Sequence, residues 1–263
     1  MWRISLVVLA LSSGFLPTPS WAGAWTLERG QMQVISGFTV SGASKSFDDA
    51  GKPTQDVLFS KMFIQNSIEY GLTDAVTLFA APEYVTVHAA AKGQAITRSR
   101  DTAVEAGVRI LLLSRIGMLS IQASAKTADA FDMTVSANQA AGRQAELRLL
   151  YGRPYTLFGD HGFIDLQVAE RWISRPRPNE MTIDATLGLW LRPGTQAMFQ
   201  SFNTISGGGG SAPYASYRMH KLEFSLMQQV SDSWSLQIGG LISPFGQNTV
   251  AEQGFAVSIW SRF

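Results

Sequence analysis

The stretch Phe255-Ala-Val-Ser-Ile-Trp-Ser-Arg-Phe263 decides the fold of this chain. Successive side chains of a β-strand point to opposite faces, so residues two apart share a face. One face therefore carries the apolar side chains of Phe255, Val257, Ile259 and Phe263. Gly254, Ala256, Ser258 and Arg262 fall on the opposite face. The stretch predicts a β-strand with one apolar face that ends on an aromatic residue.

Similar alternation recurs along the chain in segments of about ten residues, which is the signature of a transmembrane β-barrel. The fourth segment is the clearest, with Val104 and Val108 on the face opposite Glu105 and Arg109. The ninth, around 195–204, is the least defined. Counting these segments predicts an all-β fold, an antiparallel up-and-down barrel of about twelve strands.

The connections between the predicted strands alternate in length. Tight turns at 70–74, 114–117, 192–194 and 230–233 alternate with longer loops. Barrels of this class have short periplasmic turns and long external loops. The 152–162 connection is longer than the other turns, which leaves the strand count open there. An even count predicts that both termini are periplasmic.

The first residues predict a secretory signal peptide over 1–24, followed by the barrel over 25–263. Arg3 precedes an apolar run at 4–15, and small residues follow, so cleavage after Ala22 or after Ala24 fits the small-x-small pattern. The run is too short for a membrane-spanning helix, which needs about 20 apolar residues.

Composition excludes several classes of function. The net charge is +1, so no basic patch for nucleic acid is expected. The chain has no cysteine, which excludes disulfides and thiolate metal sites. No cofactor and no metal site are predicted.

The polar face supplies candidate lumen-lining residues of both signs in near balance. Balanced charge favours ion pairs between neighbouring strands and a passage for uncharged or zwitterionic solutes. Twelve strands give a wall roughly 12 Å in radius, so we expect a narrow or plugged lumen. The candidates are Lys61, Glu69, Glu83, Glu105, Arg109, Lys126, Glu146, Arg148, Asp165, Arg171, Asp184, Lys221 and Glu223.

Aromatic residues near the strand ends predict two interfacial girdles. The alternative is that they fill the core of a soluble barrel, but the export signal and terminal aromatic favour the membrane. The predicted periplasmic girdle is Tyr70, Tyr151, Trp190, Trp234, Trp260 and Phe263, and the external girdle is Phe38, Tyr84, Trp172, Phe202, Tyr217 and Phe245.

The sequence does not predict an enzyme. Its three histidines, His88, His161 and His220, show no serine–histidine spacing and no metal-ligand cluster. A site at the rim of the barrel, using His88 or His220 with a nearby carboxylate, remains the enzymatic alternative.

Three short motifs resemble small outer-membrane barrels of Gram-negative bacteria: Ala24-Trp-Thr-Leu-Glu-Arg-Gly-Gln31, Glu69-Tyr-Gly-Leu-Thr-Asp74 and Glu105-Ala-Gly-Val-Arg109. They are similar to XagA-like barrels associated with exopolysaccharide, and more loosely to barrels of the phenol meta-pathway. The resemblance implies an outer-membrane location, contact with lipid and polysaccharide synthesis or export proteins as partners. It also implies that the barrel-assembly machinery recognises Phe255, Val257, Ile259 and Phe263.

Three hypotheses follow. The first is a narrow passage or envelope accessory for exopolysaccharide and biofilm production. The second is a channel for small hydrophobic or aromatic compounds, for which Phe63 and Leu111 on the polar face are the hints. The third is a closed structural barrel that displays its loops.

Overall fold

The computed structural model describes residues 23–91, 93, 95–127, 142–157, 160–174, 177–207 and 216–263. These residues form a closed antiparallel barrel in which each strand pairs with its neighbours in the chain. Within these ranges, no helix is long and apolar enough to cross a membrane. The strands are β1 (Met32–Ser46), β2 (Gln55–Thr73), β3 (Val76–Ala91), β4 (Thr97–Leu113), β5 (Met118–Lys126), β6 (Gln144–Leu157), β7 (Asp160–Ile173), β8 (Glu180–Arg192), β9 (Thr195–Ser206), β10 (Arg218–Gln229), β11 (Trp234–Gln247) and β12 (Gln253–Arg262).

The seam between β1 and β12 closes the barrel. Its register runs from Gln33 opposite Arg262 to Gly42 opposite Gln253. The Met32 N–H donates to the Phe263 carbonyl at 3.1 Å, and the Phe263 N–H donates back at 2.9 Å. Both termini of the wall therefore lie at one end, here called the terminus rim, and the opposite end is the loop rim.

The polarity of the wall is the reverse of that in a soluble protein. The outer face exposes large apolar side chains such as Leu187 and Phe224, whereas Glu69, Arg109 and Asp165 are buried inside. Exposing this many apolar side chains is stable where lipid rather than water surrounds them. The predicted amphipathic strands are confirmed, and their polar faces point inward.

The two uncertain regions are both resolved as ordinary strands. The described residues of the 152–162 region belong to β6 and β7, which pair with each other up to Leu157 and Asp160. Gly152 pairs with Met118, the first residue of β5, so β6 and β7 extend beyond β5 toward the terminus rim. The least defined segment is β9, which pairs with β8 and β10 along its length. The predicted number of twelve strands is confirmed for the described residues.

Four of the predicted girdle aromatics do not face lipid. Trp260 packs inside the barrel against Phe163, Met198 and Met227, since it alternates with the outward residues of β12. Phe202 lines the interior. The other two corrections are Tyr217, which is buried, and Trp190, which pairs with the buried Gln196. Position near a strand end was a poorer guide than the two-residue alternation.

Arginine on the outer face is expected to cost far more than arginine on the inner face. Leu187→Arg should lower the free energy of unfolding by about 2–4 kcal/mol, the range measured for midplane lipid-facing positions. Thr186→Arg is the matched control, because Thr186 lines an interior cavity. Urea unfolding in phospholipid vesicles measures both. A larger loss for Thr186→Arg would contradict the assigned faces.

Candidate functional site in the barrel interior

An N-terminal segment, residues 23–31, lies at the terminus rim; its residues 23–27 are buried or partly buried inside the barrel, and residues 28–31 are exposed. Ala24 is completely buried; its N–H donates to Asp165 Oδ2 at 2.8 Å, and its carbonyl accepts from Ser120 Oγ at 2.5 Å. Farther along, the Leu27 N–H donates to Thr77 Oγ1 at 2.8 Å. The segment thus makes hydrogen bonds to β7, β5 and β3 and obstructs this end of the lumen.

Trp25 anchors the segment. Its carbonyl accepts from Arg109 Nη1 at 3.0 Å, and its ring meets Phe163 edge to face with centroids 5.7 Å apart. A Cβ at Gly152 would lie 2.5 Å from this ring, so the wall needs glycine at that position. The sequence had marked residues 24–31 only as a family resemblance, and their position inside the barrel was not predicted.

The segment is also held through an ion pair between β4 and β2. Arg109 donates to the two oxygens of Glu69 at 3.0 and 3.2 Å, and its Nε donates to Gln122 at 3.1 Å. Both charged side chains are almost completely buried. A bidentate, charge-assisted contact of this kind fixes the guanidinium, which in turn holds the Trp25 carbonyl.

A second network spans β6, β7 and β8. Glu146 accepts from Arg148 at 2.7 Å and from Arg171 at 2.8 Å. Arg148 also reaches Asp184 at 2.8 Å, and Arg171 reaches Glu180 at 2.8 Å. The network forms a continuous row of alternating charge on one side of the lumen.

Glu252, which directly precedes β12, joins strands that lie two places away from β12 on either side. It pairs with Lys61 of β2 at 2.8 Å and with Lys221 of β10 at 2.6 Å, and it accepts from the Ser41 hydroxyl. Two lysines on one almost fully buried carboxylate leave a net positive charge at this point.

Another ion pair in the lumen is Lys126 with Glu83, at 2.6 Å. It joins β5 to β3 and skips β4, as Arg109–Glu69 skips β3. The expectation of pairing between neighbouring strands is therefore wrong for several pairs. The physical reason is curvature, because side chains pointing into a small barrel converge and meet across an intervening strand.

The structure thus places all thirteen predicted lumen residues on the inner side of the wall, and eleven of them take part in hydrogen bonds or ion pairs there. Glu105 and Glu223 make neither contact among the described residues, although Glu105 lies near enough to Arg171 to interact with it electrostatically. Whether the thirteen residues form a solute path stays a prediction.

Sequence reasoning missed four charged or polar residues of these networks. Glu180 and Glu252 lie at or beside the first residue of a strand, where extending the alternation by one step would have placed them inside. Arg177 pairs with Glu180 at 3.2 Å, and the Tyr217 hydroxyl donates to the same carboxylate. These two lie in connections, for which strand alternation gives no signal.

The loop rim is narrowed by the β11–β12 connection, which folds inward. The Phe47 N–H donates to the Thr249 carbonyl at 2.7 Å, which ties this connection to the one after β1. Val250 is buried against Phe59 and Val85 on the inner face of β2 and β3. An apolar patch inside the lumen is therefore covered by loop residues.

A tight turn supports this arrangement at the loop rim. The Asp48 carboxylate accepts from the backbone N–H groups of Lys52 and Ala50 and from the Thr54 hydroxyl. The hydrogen bond from Lys52 is the main cause that lowers the pKa of Asp48 below its usual value. The Asp48 carboxylate is therefore charged at neutral pH and keeps the hydrogen bonds of the turn.

Two cavities of about 360 Å³ each occupy the lumen between these closures. The loop-side cavity is lined mainly by the charged networks. The terminus-side cavity adds the apolar side chains of Phe163, Met198 and Trp260. Five residues line both cavities and define the waist between them: Thr39, Phe63, Gln65, Phe202 and Glu223.

The apolar hints from the sequence have different outcomes. Phe63 lies at the waist, whereas Leu111 lines neither of the two cavities.

Two of the three histidines lie away from the charged networks. His161 hydrogen-bonds Thr156, and His220 contacts Asn203 and the Phe245 ring. Among the described residues, no group of three or more His, Cys, Asp or Glu is arranged to hold a metal ion.

Solved structures of outer-membrane barrels share this architecture. The COG4313 outer membrane channel from Pseudomonas putida F1 superposes with a TM-score of 0.69 at 14% identity, covering 91% of this chain and 98% of that one. The fold is that of a Gram-negative outer-membrane β-barrel. The translocator domain of the autotransporter NalP from Neisseria meningitidis gives a TM-score of 0.55 at 10% identity, covering 90% of each chain.

A third similar structure is the transport unit of the autotransporter AIDA-I from Escherichia coli. Its TM-score is 0.51 at 8% identity, and the superposition covers 90% of this chain and 91% of that one. No protein-family model and no curated protein sequence matches the chain. The shared architecture and the apolar outer face together indicate that the barrel lies in the outer membrane. Because the sequence identities are low, the similar structures show the fold and do not show the function.

Breaking the buried pair below the N-terminal segment should be costly. Arg109→Met removes the cation that donates to both oxygens of the buried Glu69 and removes the donor to the Trp25 carbonyl, so the free energy of unfolding should fall by about 3–5 kcal/mol. Urea unfolding measures the loss. The double variant Arg109→Met/Glu69→Leu is the control and should recover much of it. A double variant as unstable as the single one would contradict this explanation.

The buried contacts of Gly23 and Ala24 discriminate between the two predicted cleavage positions. Cleavage after Ala24 would remove the N–H that binds Asp165 and the carbonyl that binds Ser120. We propose cleavage after Ala22, which keeps both. Intact mass of the protein isolated from outer membranes should show Gly23 as the first residue, and a mature chain that starts at Trp25 would contradict this.

Proposed function

We propose that this barrel is a narrow outer-membrane channel for small solutes that carry an aromatic or other apolar group. The observation that supports it best is the waist, where Phe63 and Phe202 stand between two cavities. The terminus-side cavity then offers apolar walls to the same solute. A lumen for hydrophilic solutes alone is expected to be lined by polar side chains, so the two aromatic rings at the waist favour a solute with an apolar group.

The size of the interior supports a small solute. Each cavity measures about 360 Å³, at the lower end of the range for pockets that hold small molecules. General porins have 16 to 18 strands and a wide aqueous channel. The segment 23–31 further restricts the passage, so solute release at the terminus rim would require this segment to shift.

The similar structures are compatible with transport. The structure from Pseudomonas putida F1 is named an outer membrane channel. We extend that role to this chain as a proposal, and we propose no enzymatic activity.

The link to exopolysaccharide and biofilm rests on the short motif resemblance and remains a second proposal. Deleting the gene tests it directly, with matrix polysaccharide measured in the deletion strain and in a complemented strain. Unchanged matrix would count against this role and would leave the small-solute channel intact.

Removing the N-terminal segment should open the channel. A mature variant without residues 23–30 should show larger single-channel conductance in a planar bilayer than the intact chain, because the N-terminal segment no longer obstructs the terminus rim. In this variant benzyl alcohol should interrupt the current more than glucose does. If both proteins are folded and electrically silent, the channel proposal is wrong.

Block of the current by benzyl alcohol also tests the role of the aromatic waist. Phe63→Ala should weaken the block by benzyl alcohol. Phe245→Ala should leave it unchanged, because Phe245 lies on the outer surface near the loop rim with two thirds of its area exposed. Equal effects of the two substitutions would contradict a role for the waist.

A further inference from the structure

Glu223 occupies an unusual position in the lumen. It lies on β10, faces inward and lines both cavities at the waist. Within the described ranges, no hydrogen-bond donor and no cation contacts its carboxylate. The carboxylates of Glu69, Glu83 and Glu252 each have a cationic partner. Glu105 also makes no hydrogen bond or ion pair among the described residues, but it interacts electrostatically with Arg171.

The surroundings of Glu223 explain why no partner is present. Its cross-strand neighbours are Gln200 on β9 and Leu241 on β11. The nearest lysine on its own strand face, Lys221, is held by Glu252 at 2.6 Å. Glu223 is partly buried, and a carboxylate that loses contact with water without gaining a counter-charge is destabilised. A cation that enters the waist would therefore be stabilised there.

The wall leaves room for this carboxylate. A Cβ at Gly239 would lie 3.0 Å from Glu223 Oε1 and 2.8 Å from the Ser225 Cβ. Any other residue at that position would crowd the Glu223 side chain from the neighbouring strand.

Aromatic side chains line the two cavities beside the Glu223 carboxylate. Phe63 and Phe202 share the waist, and Trp260 and Met198 line the cavity on its terminus side. A carboxylate supplies a charge-assisted acceptor for an ammonium group, and aromatic faces attract the same cation through their quadrupoles. An inorganic cation would use the carboxylate but would gain little from the apolar walls.

We propose that Glu223 binds the ammonium group of a small organic cation whose apolar body lies in the terminus-side cavity. This deepens the proposed function, since it names a class of solute for the same passage. The waist would then select among apolar solutes by charge, with Glu223 as the residue that determines specificity.

Binding to the refolded mature protein in uncharged maltoside detergent tests the proposal without any need for conduction. The probes are phenethylammonium and 2-phenylethanol, which have the same aromatic body and differ in the charged group. Calorimetric titration should show tighter binding of phenethylammonium. In Glu223→Gln its affinity should fall about tenfold or more, since a hydrogen bond to a charged group contributes about 1.5–3 kcal/mol. The affinity for 2-phenylethanol should be unchanged.

Glu105→Gln is the matched control, because Glu105 lines the loop-side cavity but not the waist. It should bind phenethylammonium as the unaltered protein does. The proposal is overturned if Glu223→Gln binds phenethylammonium normally, or if the unaltered protein binds both probes equally well.

A second variant keeps the test decisive if Glu223→Gln does not fold, as judged by heat-modifiable gel mobility. Phe202→Leu retains the carboxylate and should weaken phenethylammonium binding about threefold or more through loss of the aromatic face. Normal binding by Phe202→Leu would contradict the aromatic part of the site. If the protein binds phenethylammonium but does not conduct, the proposed channel is wrong and the proposed Glu223 site stands. If it conducts but does not bind phenethylammonium, the proposed site is wrong and the channel stands.

Discussion

The structure depends on one constraint, that no backbone hydrogen-bonding group of a membrane-spanning strand can be left unpaired in hydrocarbon. The seam between β1 and β12 satisfies this constraint, because residues 33–42 of the first strand pair with residues 253–262 of the last. Once the sheet closes, alternate side chains of each strand face either the lipid or the lumen. The apolar face is exposed to lipid, and every inward charge is confined to a small common interior.

That confinement determines the electrostatics of the interior. Charges from strands that are not adjacent meet across an intervening strand, as Arg109 and Glu69 do, and the resulting pairs stiffen the wall. Arg109 also holds the Trp25 carbonyl, so the ion pair and the N-terminal segment stabilise each other. Against this background, the unpaired carboxylate of Glu223 differs from its neighbours in having no described partner for its charge.

The candidate site was only partly predictable. Alternation correctly placed residues such as Glu146 and Asp184 inside, because the side-chain period of a strand is a local property. Alternation could not show that Arg148 bridges both of them, since that contact depends on how the strands curve toward one another. Tyr217 and Trp260 were assigned to the girdles from their distance to a strand end, and packing inside the barrel decided otherwise.

The sequence by itself determined the strands, the apolar face of each and therefore the class of barrel, because these follow from a two-residue period that neighbouring residues carry. Only the tertiary structure decided what fills the interior. Residues 23–27 have no strand period and lie inside because Asp165, Thr77 and Arg109 converge on their backbone groups. The waist between Phe63, Phe202 and Glu223 likewise exists only after closure, since these residues are distant in the chain and share a cavity because the sheet is closed into a barrel.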